Sequence, residues 1–220
     1  MKKRRDKRDE LGQGAVELAL VLPVLILLLI GVAEMGYLLR NYLVVVNADR
    51  EACRFAARGR YTDERIIERA ISAGGAIRIN GQDVPFLRTH GTEPNAAVIV
   101  THIPMDVSGD IDPISITTAV SGVVSSGESY TMTYVQPSDS GISLTQISEH
   151  QSDATQEINA ERAAAGYEQM ENQIVVVEIF FIHRPVWGGL LNTLSAGIVS
   201  EGPWIMRVET KMRVVKSRGG

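Results

Sequence analysis

The 220-residue chain has a single cysteine, Cys53, so no intramolecular disulfide can form. Whatever holds the fold outside a reducing compartment must come from packing instead. The four histidines, His90, His102, His150 and His183, have no His-x-x-x-His or comparable metal-ligand spacing. There is no Gly-x-Ser-x-Gly elbow or other nucleophile motif. Asp106-Val-Ser-Gly-Asp-Ile-Asp112 places oxygens at alternate positions, but Ile111 and Thr117 stand where a calcium loop needs Gly and Glu. That run reads as an ordinary Asp/Gly turn. We therefore expect no catalytic residue, no metal site, no cofactor and no enzyme. Charge is scarce as well: between Leu11 and Ala33 only Glu17 carries one.

Upstream of that uncharged stretch lie Lys2, Lys3, Arg4, Arg5, Lys7 and Arg8. A basic segment of this kind is retained on the cytoplasmic side of a membrane. An ordinary secretory signal is excluded, because its apolar region is about 7–15 residues and ends at a small-residue cleavage site. Here the run from Gln13 to Leu39 exceeds the roughly 20 residues a spanning helix needs. The reading is a basic leader over 1–12 and a retained transmembrane helix over 13–40, with the rest of the chain outside the cytoplasm.

Three residues of that helix stand out. Glu17 in its first turn is costly, by roughly 2.5–3.5 kcal/mol at mid-bilayer and less near the interface, so it asks for a partner or a role. Pro23 removes one backbone donor and collides with the carbonyl of Ala19, which predicts a local kink. It is either a common membrane-helix proline or a point where the helix bends during extraction. Glu34 falls near the outer interface beside Tyr37 and Arg40, and is expected to be solvated or paired with Arg40.

The helical pattern continues without Gly or Pro from Asn41 to Arg58. Ala48, Ala52 and Ala56 recur every four residues and form one small-residue stripe that lets another backbone approach. Cys53 lies beside it and reads as a small packing residue, with an intermolecular disulfide as the alternative. A helix from Gln13 to Arg58 would be about 69 Å long, about twice the hydrocarbon thickness. Residues 41–73 are thus a helical extension plus a short second helix, Arg60 to Ala73, closed by Gly74-Gly75.

Residues 74–220 read as a β-rich domain. Ala96 to Ile103 is a β-branched strand ending at Pro104; Ile114 to Val124 and Ser129 to Val135 are weaker candidates. Gln173 to His183 is nearly continuously apolar, as in a strand covered on both faces. Pro203 to Val215 alternates, with Trp204, Met206, Val208, Met212 and Val214 on one face. Between them, Pro185 to Leu191 is an apolar loop or short helix with Trp187 a candidate exposed side chain. Residues 138–172 form a polar insertion in which Ile147, Ala154, Ile158 and Ala165 could line a thin helical stripe. Residues 1–12 hold six Lys/Arg and three Asp/Glu, so the remainder carries a net −7. An acidic outer part argues against nucleic acid as a partner. The fold class is α+β: a long N-terminal membrane-spanning helix running into an extracytoplasmic domain with an antiparallel sheet.

Gly12, Val16, Glu17, Ala19, Leu20 and Pro23, followed by a Leu-rich span and an Ala/Arg-rich extension over Asn47 to Ala57, resemble the TadE-like family of Flp/Tad (tight-adherence) pilus assembly proteins. The resemblance implies a minor pilin- or pseudopilin-like protein in the inner membrane, single-pass, with a cytoplasmic N-terminus. It implies a prepilin peptidase cutting between Gly12 and Gln13, and other pilin or TadE/TadF-like subunits and an inner-membrane pilus platform as partners. Glu17, fifth in the cut chain, would meet the freed amino group of Gln13 on a neighbouring subunit and set axial register. Gln13 departs from the bulky apolar residue with which mature pilins often begin. Two other readings remain: an uncleaved anchor carrying a ligand-binding or enzymatic outer domain, and a scaffold of the machine that does not enter the filament.

Overall fold

The structure is a computed structural model that describes residues 7–59, 61–91, 93–111, 113–122, 124–125, 131–132, 142, 144–169, 171–194 and 204–214. Helix α1 is continuous from Lys7 to Ala57 and runs through Pro23. The described residues are helical already at Lys7, six before the expected Gln13; Lys, Arg, Glu and Leu, which the leader supplies, are good helix formers. Helix α2 spans Asp63–Ala73 and buries Ile66, Ile67 and Ala70. Strands β1 (Ala76–Ile79) and β2 (Gln82–Pro85) then form an antiparallel hairpin. Asn80 and Gly81 turn it with φ of 50° and 83°, the left-handed pair that a tight two-residue hairpin demands.

Among the described residues the main sheet has four strands: β3 (Ala96–Met105), β4 (Thr117–Ser121), β7 (Asn172–His183) and β8 (Trp204–Val214), in the order β4-β3-β7-β8. A 3-10 turn at Pro113–Ser115 precedes β4. Two-residue strands β5 (Val124–Ser125) and β6 (Thr131–Met132) pair with each other apart from it. β3 lies antiparallel to both β4 and β7. It runs past Pro104, where the sequence ends it. The β4 ladder stops at His102↔Thr117, so the proline, which lacks a donor, falls where a single neighbouring strand remains. Helix α3 occupies Leu144–Ala164 within the polar insertion, and α4 is a short helix at Gly188–Leu194.

Alternation along β3 and β7 sorts the core into two faces. Ala96, Val98, Val100, Val175, Val177, Ile179 and Phe181 face α1 and α2, where Val45, Ala48, Ala52, Cys53, Ala56, Ile66 and Ala70 meet them. The other face carries Ala97, Ile99, Phe180 and Ile182 at one end. At the other end it carries Ile103, Met105, Ile174 and Val176, with Ile147 of α3. β7 is thus covered on both faces, as its apolar run predicts.

The described chain divides into two compact units. One holds the described residues of Met1–Asn41 and Arg184–Trp204. The other holds those of Tyr42–His183 and Ile205–Gly220. These units cut the chain differently from the segment boundaries at 40 and 73: the helical extension shares a core with the sheet, and the described residues of 184–204 group with the described residues up to Asn41.

Candidate functional site

The first turns of α1 bring Gln13 and Glu17 together. Four residues apart, they lie on one helix face, and Gln13 Nε2 donates to Glu17 Oε1 at 3.0 Å. Glu17 therefore already has a partner in the intact chain, the side chain of the residue whose amino group the resemblance assigns to it. Gly12 is inside the helix, so the Gly12–Gln13 peptide bond is helical. Beyond it, Val16, Leu18, Leu20, Leu22, Leu25 and Leu28 are all exposed. Bare apolar side chains all round a helix are untenable in water and suit a lipid surround. Among the described residues, the stretch long and apolar enough to cross a membrane is Gln13–Ala57, and none of its most apolar window is buried.

Glu34 is not solvated, contrary to expectation. It is 3% exposed. Its carboxylate accepts from the backbone N–H of Val186 at 3.1 Å on each oxygen, and from that of Trp187 at 3.2 Å. These amides precede α4, whose first turn has no intrahelical acceptors for them. No sequence signal links Glu34 to a segment 152 residues downstream.

The comparisons bear on this helix. Residues 12–54 match the TadE-like protein family. No curated protein and no solved structure matches the chain. The TadE-like match begins at Gly12, contains Gln13, Glu17, Pro23, Ala48 and Ala52, and stops three residues before α1 ends. It supports involvement in Tad pilus assembly, in association with other components of that system.

The later part of the TadE-like segment is a core element. The stripe Ala48, Ala52 and Ala56, read from sequence as a surface for another backbone, is buried against this chain's own sheet and α2. Its alanines let the helix axis lie close to the strands. Cys53 is fully buried, with its thiol 3.4 Å from the Thr210 carbonyl oxygen and 3.6 Å from that of Val175. Burial pushes that thiol up to about 12, with the Asp49 charge acting in the same direction. A thiol so placed is inert and out of reach of a second chain.

Asp49, to which sequence alone gives no role, is also fully buried, and among the described residues neither of its oxygens finds a hydrogen-bond partner of good geometry. Burial pushes its carboxyl up to about 7. Thr210 has the one side chain whose hydrogen bonding opposes this; the charges of Glu209 and Glu178 reinforce it and Arg50 offsets it. On the other face of the sheet, Glu178 is fully buried and receives Arg207 Nε at 3.0 Å and a terminal guanidinium nitrogen at 2.6 Å. Arg207 also reaches Glu209 at 2.7 Å.

Helix α3 docks through polar groups. Of the expected stripe, Ile147 is buried, but Ile158 is 43% exposed. Thr155 and Asn159 take the inner positions. Asn159 donates to the Val107 carbonyl at 2.8 Å, and Thr155 accepts from Arg213 at 2.6 Å. The turn it meets is built by Asp106, whose Oδ1 accepts from the N–H of Ser108 at 2.9 Å and of Asp110 at 2.8 Å. The Ser108 hydroxyl, with those amides, holds the Asp106 carboxyl below its usual range. Among the described residues no group of three or more His, Cys, Asp or Glu is placed to hold a metal ion.

Proposed function

We propose that the chain is a minor pilin- or pseudopilin-like subunit of a Flp/Tad-type pilus, cut by a prepilin peptidase between Gly12 and Gln13. The observation that carries this reading is the coincidence of Gly12, Glu17 and Pro23 with a lipid-suited helix inside one TadE-like match. The basic leader keeps the cut site cytoplasmic. A protease needs an extended strand, so the first turns of α1 must unwind. Gly12 and Gly14 each lower the cost by about 1 kcal/mol relative to Ala.

Cutting leaves an ammonium at Gln13, one turn from Glu17. In hydrocarbon, a neighbour's ammonium paired with Glu17 offsets part of the burial cost of both charges and fixes the register between helices. The peptidase, other pilin or TadE/TadF-like subunits and the inner-membrane platform are the partners in this scheme; nucleic acid is not.

The test is Glu17→Ala in cells that make the pilus. The cut should proceed as in wild type, while the subunit is lost from sheared filaments. Unchanged incorporation would refute the register role. A wild-type protein that stays entirely in the membrane fraction would favour the scaffold reading instead.

A further inference from the structure

We propose that Arg184–Leu194 is a second membrane-contacting element, an apolar finger seated in the outer leaflet beside α1 and fastened there by Glu34. The inference rests on the reading that α1 spans the membrane with its N-terminus in the cytoplasm. Depth comes first. Glu17 and Glu34 are separated by about 26 Å of helix at 1.5 Å per residue, close to the roughly 30 Å hydrocarbon thickness. With Glu17 at the inner edge, Glu34 lies at the outer edge, and its hydrogen bonds hold Val186 and Trp187 at that level.

The finger's surface fits that depth. Val186, Trp187 and Leu190 are 61%, 43% and 43% exposed, next to a helix whose own apolar side chains are bare. No charged residue occurs from Pro185 to Ser200, a run bounded by Arg184 and Glu201. Apolar stretches too short to span are characteristic of interfacial or re-entrant segments, and Trp concentrates at the headgroup level.

Backbone satisfaction completes the argument. Irregular backbone is tolerated at membrane depth only where protein supplies acceptors. Glu34 supplies them to the two amides ahead of α4. One face of α1 is partly covered at Leu27, Ile30, Gly31, Leu38 and Asn41, and that part of the helix forms one compact unit with the described residues of Arg184–Trp204. The lipid acyl and headgroup boundary, continuous with the surround of the span, is therefore the occupant of the finger's outer side.

The experiment uses the full chain with Trp204→Phe, which leaves Trp187 as the only tryptophan, reconstituted in phosphatidylcholine/phosphatidylglycerol vesicles. Bromination of the acyl chains should quench Trp187, and acrylamide in the water should quench it poorly. Glu34→Gln, and more severely Glu34→Ala, should reduce the bromolipid quenching and raise that by acrylamide. A control with Leu28→Trp, Trp187→Phe and Trp204→Phe reports the span itself. Control quenched by bromolipid but Trp187 quenched only by acrylamide would overturn the finger. Trp187 protected from both quenchers would also overturn it, since protein would then cover the patch. An unquenched control would refute the spanning reading and the inference with it.

Discussion

Burial moves the Asp49 carboxyl from 3.8 up to about 7, and the direction fixes the sign of its effect on stability. The folded chain keeps the proton up to about pH 7, whereas the unfolded chain releases it near 3.8. Between those values the native state binds more protons, so stability falls as pH rises through the window and levels off above it. Wild type should be more stable at pH 5 than at pH 8, by about 2–3 kcal/mol from this group. Asp49→Asn should remove that part of the slope. Urea unfolding of the detergent-solubilised chain, followed by circular dichroism at both pH values, checks it; an identical slope in the variant would count against the buried-carboxylate account. Sequence alone gives Asp49 no role, because it sits among Arg50, Glu51 and Arg54 in a stretch rich in charge. Only the register of α1 on β8 distinguishes the residue that turns inward.

At the scale of elements, α1 is two helices in chemical terms. Up to about residue 40 most of its apolar side chains are exposed; from Val45 its small residues face a sheet. Ala52→Leu should destabilise the sheet-bearing unit by about 1–3 kcal/mol through overpacking. Leu22→Ala, on the exposed stretch, should leave that unit's melting temperature unchanged. The docking of α3 depends on a close approach instead. Gly109 has φ of 87°, and a Cβ there would lie 2.8 Å from the Ser152 carbonyl oxygen. Gly109→Ala should cost about 1–3 kcal/mol of local stability, read as faster amide exchange in α3 with little change in β7.

The elements differ in how legible they were. The apolar run of β7, the alternation of β8 and the length of α1 are patterns local to the chain, and they appear where the sequence places them. Three things were not local. β3 passes Pro104 because β4 happens to end before it. The inner face of α3 is Thr155 and Asn159, since its surroundings offer a carbonyl and a guanidinium rather than an apolar surface. The Glu34 clip joins residues whose proximity only the fold creates.

Across the whole molecule, charge and polarity are sorted along the chain. Six basic residues precede the span, and the part after the leader carries a net −7. A net-basic leader, a lipid-suited helix and an acidic remainder suit the proposed role, a protein drawn from a membrane into a protein assembly. The central claim is that the leader is removed between Gly12 and Gln13, which makes Glu17 the fifth residue and an assembly contact. The most direct measurement is the intact mass of the protein from cells with and without the prepilin peptidase. The account predicts a chain beginning at Gln13 in the first and the uncut chain in the second; an uncut chain in both would contradict it.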